Sequence, residues 1–358
     1  MDTATGFLID GPLTDGFKFR KGTFELKPFE DNDVDIRIES CSICGTDLHV
    51  ATGEWKDQLY PFTEITGTVI RVGPKVTLVK VGQRVGVGAQ ASSCGACKPC
   101  QSDNETYCQD GIIHTVGSRW PESGIVSQGG LSSHTRVHEK WAFPIPDGMD
   151  SKYVSPMLCA GITAYSPLVS YGNISGKKIG VIGLGGIGHF AVLWGKALGA
   201  EVWVLSRSRA KEDAAVAMGA DGFIATGEGE LWHEPHRGDF TLILNTASSA
   251  TDFDLRKYLS MIDVRGHFIS VGMPAEGGFT LSAMDMVLNG VLIGASHIGN
   301  RRQVLDMLQL ASEKGIKPWV EEMELNEENL ILAMKKMMDS KARFRITMTG
   351  YSKAFSIA

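Results

Sequence analysis

The stretch Ile179-Gly180-Val181-Ile182-Gly183-Leu184-Gly185-Gly186-Ile187-Gly188 decides how this chain is read. Four residues of strand character run into a Gly-x-Gly-x-x-Gly string, and the residues up to Leu198 have helical length and apolar spacing. The string alone is weak, because Gly-rich turns match it by chance; between a strand and a helix it becomes specific. Glycine allows the tight turn and lets backbone approach a pyrophosphate. The helix that follows offers free N–H groups and the positive end of its dipole. Gly183, Leu184, Gly185, Gly186, Ile187 and Gly188 are therefore candidate dinucleotide contacts.

The next strand, Val202-Trp203-Val204-Leu205, should end at the residue that reads the cofactor ribose. An acid there would accept the 2′-hydroxyl of NAD. The chain instead has Ser206-Arg207-Ser208-Arg209-Ala210-Lys211, with no carboxylate before Glu212. Hydroxyls and cations suit a 2′-phosphate. The expected cofactor is NADP(H), with Ser206, Arg207, Ser208 and Lys211 as its candidate phosphate contacts.

Outward from this loop the pattern continues. A helix is expected at Ala210–Met218, strands at Leu242–Leu244 and Phe268–Val271, late helices at Gln303–Lys314 and Asn326–Met338, and a last strand at Arg343–Met348. Alternating strands and helices imply a doubly wound parallel sheet, an α/β Rossmann domain over residues 151–295. Residues 1–150 read differently. Short runs such as Val34–Ile38, Thr68–Val72 and Val81–Val85 lie between Gly, Pro and Asp turns, as in a compact barrel-like domain.

With 358 residues, the chain is long enough for two domains and for a core that needs no disulfides. A net charge of −6 and the lack of a long basic run argue against a nucleic-acid partner. No apolar run reaches the length of a membrane span. Met1 to Gly11 lacks the pattern of a signal peptide, and Phe355-Ser356-Ile357-Ala358 is neither a prenylation box nor a peroxisomal signal. A cytoplasmic location is expected.

The chain has seven Cys, an odd count that speaks against a disulfide framework in an intracellular protein. Four of them form Cys94-x2-Cys97-x2-Cys100-x7-Cys108. Four thiolates this close in sequence can enclose one Zn²⁺ tetrahedrally. A closed set leaves no open position, so the site is structural. An iron–sulfur cluster is disfavoured, since the x3-Cys-Pro continuation of a ferredoxin run is missing.

Together these features resemble the medium-chain dehydrogenase/reductase superfamily, in its zinc-type alcohol dehydrogenase branch with the cinnamyl alcohol dehydrogenases and yeast NADP-dependent alcohol dehydrogenases. The resemblance rests on Cys44-Gly45-Thr46-Asp47-Leu48-His49, Val81 to Gly88, the Cys94 to Cys108 lobe, Leu158-Cys159-Ala160-Gly161-Ile162-Thr163, Gly183 to Gly188 and Phe344-Arg345-Ile346-Thr347. It implies a GroES-like β-barrel catalytic domain over residues 1–150, completed by 296–358, beside the Rossmann domain. It also implies a homodimer joined through the Rossmann sheets, and reversible hydride transfer between NADPH and a small aldehyde or ketone. A catalytic zinc is implied between the domains, with Cys44 and Cys159 matching two ligand positions. Thr46 and His49 match the proton relay, and Thr163 a cofactor contact. Trp55 and Trp120 fall in segments that should border the substrate pocket.

The pattern breaks at one place. The family writes Pro-x-x-x-Gly-His-Glu-x-x-Gly, and this chain writes Pro61-Phe62-Thr63-Glu64-Ile65-Thr66-Gly67. Three residues are missing and the His position holds Thr63. Cys44, Glu64 and Cys159 remain as a three-ligand set, unless the shortened segment draws Glu64 away. Three activities stay open on the sequence: a zinc-dependent aldehyde reductase or alcohol dehydrogenase, a zinc-free reductase of activated C=C or C=N bonds, and a non-catalytic NADPH-binding protein.

Overall fold

The computed structural model describes residues 2–9, 16–52, 64–247, 253–272 and 279–356, with residues 49 and 50 as backbone alone. The chain forms two compact units, Met1–Ile162 with Asn300–Ala358, and Thr163–Gly299.

The first unit is built on a seven-stranded sheet whose central strand is Asp33–Ile43. Val34, Ile36, Ile38 and Ile43 are almost wholly buried. On the same strand, the buried carboxylates of Asp33 and Asp35 are matched by cations: Lys27 Nζ lies 2.5 Å from Asp33, and Arg136 Nε donates to Asp35 at 2.7 Å. This strand pairs antiparallel with Glu64–Val72 on one side, and with His134–His138 and Arg345–Thr349 on the other. The Val81–Val85 run, expected as one strand, is split. Gly82 turns with a φ of +84°, and the strand begins only at Arg84. The turn leaves Val81 exposed, since a left-handed residue cannot continue a ladder.

The C-terminal part of this unit begins at Asn300, which caps the helix Arg301–Lys314 through a reciprocal box with Gln303. Val304, Met307, Leu308 and Ala311 form its buried stripe, and Gly315 ends it with a φ of 62°. The last strand, Arg345–Thr349, is parallel to Val320–Glu324 and antiparallel to Asp33–Ile43. The end of the chain thus lies in the interior of the sheet laid down by its beginning.

The second unit carries six parallel strands in the spatial order Gly222–Ala225, Glu201–Ser206, Lys178–Ile182, Phe240–Asn245, Ile262–Ser270, Leu292–Ala295. Numbered along this unit, the order is 3-2-1-4-5-6, that of a Rossmann sheet. Connections reverse direction between Lys178–Ile182 and Phe240–Asn245, the place where such sheets open a crevice for a dinucleotide. Among the described residues, no helix is long and apolar enough to cross a membrane.

Candidate metal centres and cofactor loop

Cys44, Glu64 and Cys159 come from three separate elements. Cys44 follows the central strand directly, Glu64 opens its neighbour Glu64–Val72, and Cys159 follows the buried turn Ser155–Leu158. Their donor atoms all lie within 4.8 Å of one another and all three residues are buried. The shortened segment before Glu64 therefore does not draw its carboxylate away. Cys44 Sγ and Cys159 Sγ are 3.9 Å apart. Two sulfurs on a tetrahedral zinc with bonds of about 2.3 Å sit about 3.8 Å apart, so the pair has the spacing of co-ligands. Two sulfurs and one carboxylate oxygen are a donor set zinc accepts, with a fourth position left open.

Electrostatics prepare this set. The Cys159 thiol donates to Cys44, and with Arg345 nearby this holds the Cys44 thiol well below its usual range. The same shared proton, together with burial, pushes Cys159 up. Glu64 accepts the Ala160 N–H at 3.2 Å through one oxygen and pairs with Arg345 through the other. Burial pushes its carboxyl up to about 7, against the pull of Arg345 and with the help of the Cys44 charge. Arg345 and Glu64 are 2% and 0% exposed, so this ion pair stands in the core.

The Cys44 loop is fixed by Asp47, whose carboxylate accepts the Cys44 N–H at 2.6 Å from a fully buried position. Thr46 Oγ1 lies 3.8 Å from Cys44 Sγ, so the expected relay hydroxyl is at a sulfur of the three-donor set. His49 is on the same short helix, Gly45–Ala51, but its side chain lies outside the described residues, as do Trp55 and the Pro61-Phe62-Thr63 segment. Trp120 packs beneath Lys27, whose Nζ is 5.1 Å from its ring, and lines a cavity with His134 and Arg136. Cys44, Glu64 and Cys159 do not line that cavity.

Cys94, Cys97, Cys100 and Cys108 form the second cluster, with all four sulfurs within 4.8 Å. Cys94 to Cys100 and Cys97 to Cys108 are each 3.9 Å, again the edge length of a tetrahedron around zinc. Backbone N–H groups of Ala96 and Cys97 point at Cys94 Sγ at 3.4 and 3.3 Å. N–H groups of Cys100 and Gln109 bring the Cys97 thiol down to about 6. Donors aimed at sulfur favour the thiolates a metal needs. The lobe also holds the returning chain: Glu105 accepts the Arg301 N–H at 2.6 Å and the Asp103 carbonyl accepts from Asn300 at 2.7 Å.

In the second unit, Gly183 turns with a φ of +84° at the end of Lys178–Ile182, and the helix Gly188–Ala197 follows. A Cβ on Gly188 would strike the Gly183 carbonyl and Thr246 Oγ1, whereas one on Gly185 would meet only open space. The first glycine closes the loop onto the helix, and the second leaves room where a pyrophosphate would lie. Thr246, at the end of the adjacent strand, donates to the carbonyls of Ile182 and Gly183, tying both sides of the crevice.

Ser206 ends the next strand, with Arg207, Ser208 and Lys211 exposed beyond it. Lys211 Nζ reaches back to the Leu184 carbonyl at 2.8 Å, so the basic segment borders the glycine loop. Arg209 is turned aside, bound by Glu212 and Glu228 at 2.8 and 3.0 Å. Thr163 lies half-buried in the helix Ala160–Ser170.

The known proteins that this chain resembles share both parts. Residues 30–147 match the family model described as alcohol dehydrogenase GroES-like domain, and residues 186–313 that of zinc-binding dehydrogenase. NADP-dependent alcohol dehydrogenase 6 of Saccharomyces cerevisiae is 43% identical over 341 residues, 94% of each chain. The chain belongs to the zinc-type alcohol dehydrogenases of the medium-chain dehydrogenase/reductase superfamily. Cinnamyl alcohol dehydrogenase 2 of Arabidopsis thaliana is 36% identical, over 91% of this chain and 86% of its own. Among solved structures, a cinnamyl alcohol dehydrogenase of Sorghum bicolor superposes with a TM-score of 0.90 at 30% identity, covering 97% of both chains. A Helicobacter pylori relative solved with NADP(H) gives 0.87 at 30% identity, over 97% and 98%.

Sequence reasoning missed Arg345 and Asp47 as parts of the site. The signal for Arg345 was present in Phe344-Arg345-Ile346: a cation inside an apolar strand requires a buried counter-charge. Asp47 carried its signal in the Cys44-x2-Asp47 spacing, that of an acid in a helix's first turn reaching back to the N-cap N–H.

Proposed function

We propose that the protein is an NADP(H)-dependent oxidoreductase that interconverts small aldehydes or ketones and their alcohols. Its catalytic metal site is Cys44, Glu64 and Cys159, and its structural site is Cys94, Cys97, Cys100 and Cys108. The observation that carries this reading is the convergence of three buried donors from three elements at co-ligand spacing, despite the missing histidine.

Zinc supplies Lewis-acid polarisation of the substrate carbonyl, and the nicotinamide supplies or accepts hydride. The chain's own groups do the rest. Cys44 is held in its thiolate range, ready to bind the cation. Glu64 is oriented by Ala160 N–H and Arg345. Thr46, at the Cys44 sulfur, passes the proton, with His49 next in the relay. On the second unit, Gly183 to Gly188 with Thr163 hold the dinucleotide, and Ser206, Arg207, Ser208 and Lys211 receive its 2′-phosphate.

The protein acts as a homodimer through the strand Leu292–Ala295. This strand is the edge of the six-stranded sheet, yet Leu292 and Ile293 are exposed, as are Met284, Val287 and Leu288 near it. An apolar open edge is a liability unless a partner covers it.

The test is metal content and turnover together. Two zinc ions per chain, with reduction of aldehydes by NADPH that fades when the second ion is stripped, is the expected result. One zinc per chain with unimpaired aldehyde reduction would overturn the metal assignment, and reduction confined to activated C=C or C=N bonds would overturn the substrate class.

A further inference from the structure

Close to the three-donor site lies a group of polar side chains that the reaction does not touch. Ser40 Oγ is 2.7 Å from both Thr66 Oγ1 and Ser155 Oγ, and the last two are 3.2 Å apart. All three residues are at most 1% exposed. Ser155 also donates to the Ser151 carbonyl at 3.1 Å. One proton arrangement satisfies every hydroxyl: Thr66 donates to Ser40, Ser40 to Ser155, and Ser155 to the carbonyl of Ser151. The chain ends on backbone, so it leads no proton to the active site.

Burying three hydroxyls is costly unless all are paired, and a fully paired buried network fixes one geometry among its elements. Each hydroxyl here sits on the element that carries one donor. Ser40 is in the strand that runs into Cys44, Thr66 is two residues beyond Glu64, and Ser155 opens the turn that delivers Cys159. Ser40 and Thr66 face each other in the ladder, where Ser42 also faces Glu64. The turn has no such ladder. Its lateral placement comes from Ser155, from the Ala160 N–H bonded to Glu64, and from Leu158, which presses on Gly86 and Gly88 so closely that a Cβ on either would collide with it.

We propose that Ser40, Thr66 and Ser155 are positioning residues for the catalytic metal: a hydroxyl hub that sets the mutual spacing of Cys44, Glu64 and Cys159. With the usual His missing, three ligands must hold the ion, so their pre-set spacing carries more of its affinity. The inference rests on reading those three residues as a metal site.

The test uses Thr66→Val, which removes the hydroxyl and keeps the shape, and Thr66→Ser, which keeps the hydroxyl. The full chain is loaded with ¹¹³Cd, whose resonance separates a four-sulfur ion from one with two sulfurs and an oxygen. Thr66→Val is expected to lose affinity for the second ion by about 10–100-fold, the range for supporting partners of ligands. The four-sulfur ion stays, and Thr66→Ser binds both. Equal weakening of both ions in Thr66→Val, equal weakening in Thr66→Ser, or unchanged affinity overturns the hub.

If the wild-type chain binds only one cadmium, the metal reading itself fails. The hub is then read in the thiol pair alone, by mass-spectrometric detection of Cys44 bridged to Cys159 by a short bifunctional thiol reagent. Bridging should fall at least about tenfold in Thr66→Val and recover in Thr66→Ser, as for a lost supporting contact. An unchanged rate overturns the hub on this arm too.

Discussion

Replacing Arg345 by Met should show how much the first unit depends on one buried ion pair. Glu64 and Arg345 are essentially without solvent, so in this variant Glu64 keeps its burial and loses its guanidinium. Removing one partner of such a pair costs about 3–5 kcal/mol while the other stays charged. The cost depends on pH, and its sign follows from the carboxyl. With no metal at Cys44, Glu64 and Cys159, burial pushes the Glu64 carboxyl up to about 7 in the folded chain, above its ordinary value of 4.5. The folded state therefore holds the extra proton between those values, and stability falls as pH rises through that window. Without Arg345 the folded value climbs further, and the fall continues beyond pH 7, where the parent curve has levelled. For a unit of roughly 220 residues, 3–5 kcal/mol corresponds to about 6–20 °C in melting temperature. Calorimetry of Arg345→Met at pH 8.5, with variant and parent both freed of metal by chelator, should show that drop, and a smaller one at pH 6. Adding Glu64→Gln, which removes the charge, should recover most of it. A melting temperature unchanged at pH 8.5, or a double variant no better than the single one, would refute the argument.

Other perturbations reach other parts. Lys211→Ala and Arg207→Ala should each raise the Kd for NADPH by about tenfold or more and leave that for NADH nearly unchanged, the loss of one charge-assisted bond to phosphate; fluorescence titration with both cofactors decides it. Gly188→Ala should abolish binding of either cofactor, because its Cβ meets the Gly183 carbonyl, and calorimetric titration should show no heat of binding. Stripping the four-cysteine lobe of metal should speed amide exchange at Arg301, whose N–H is held by Glu105 within that lobe; exchange that stays slow would show the contact to be independent of the metal. Sedimentation should show the proposed dimer for the parent and a monomer for Leu292→Lys, which places charge on the open strand edge.

Much of this molecule was legible from residue order. The strand, glycine loop and helix from Ile179 to Leu198 carry their own local physics, so they could be read from a window of twenty residues. The Cys94 to Cys108 lobe was readable for the same reason: its ligands are close in sequence and need no long-range partner to meet. The three-donor site was readable only as a list. Whether Glu64 still faced Cys44 and Cys159 depends on strand register and on Arg345, 281 residues away from Glu64, and no local pattern encodes that. Arg209 shows the same limit. On sequence it is one cation among several, and only folding brings Glu228 against it. The hydroxyl hub was invisible, since Ser40, Thr66 and Ser155 are ordinary residues until three elements pack.

The position of the last strand has a consequence for synthesis. Arg345–Thr349 fills a place in the sheet beside residues 41–43, and it brings the guanidinium that pairs with Glu64. At about 5–20 residues per second, a ribosome adds Arg345 roughly 14–56 s after Glu64. Throughout that interval the nascent sheet has an unfilled strand edge and an unmatched carboxyl at its centre, while the cofactor-binding domain is made. The first domain to emerge is thus the last to be completed, and it is the one in need of a chaperone's cover. A ribosome that stops just before Arg345 releases a chain that has all six strands of the nucleotide-binding sheet and an open, adhesive edge on the other.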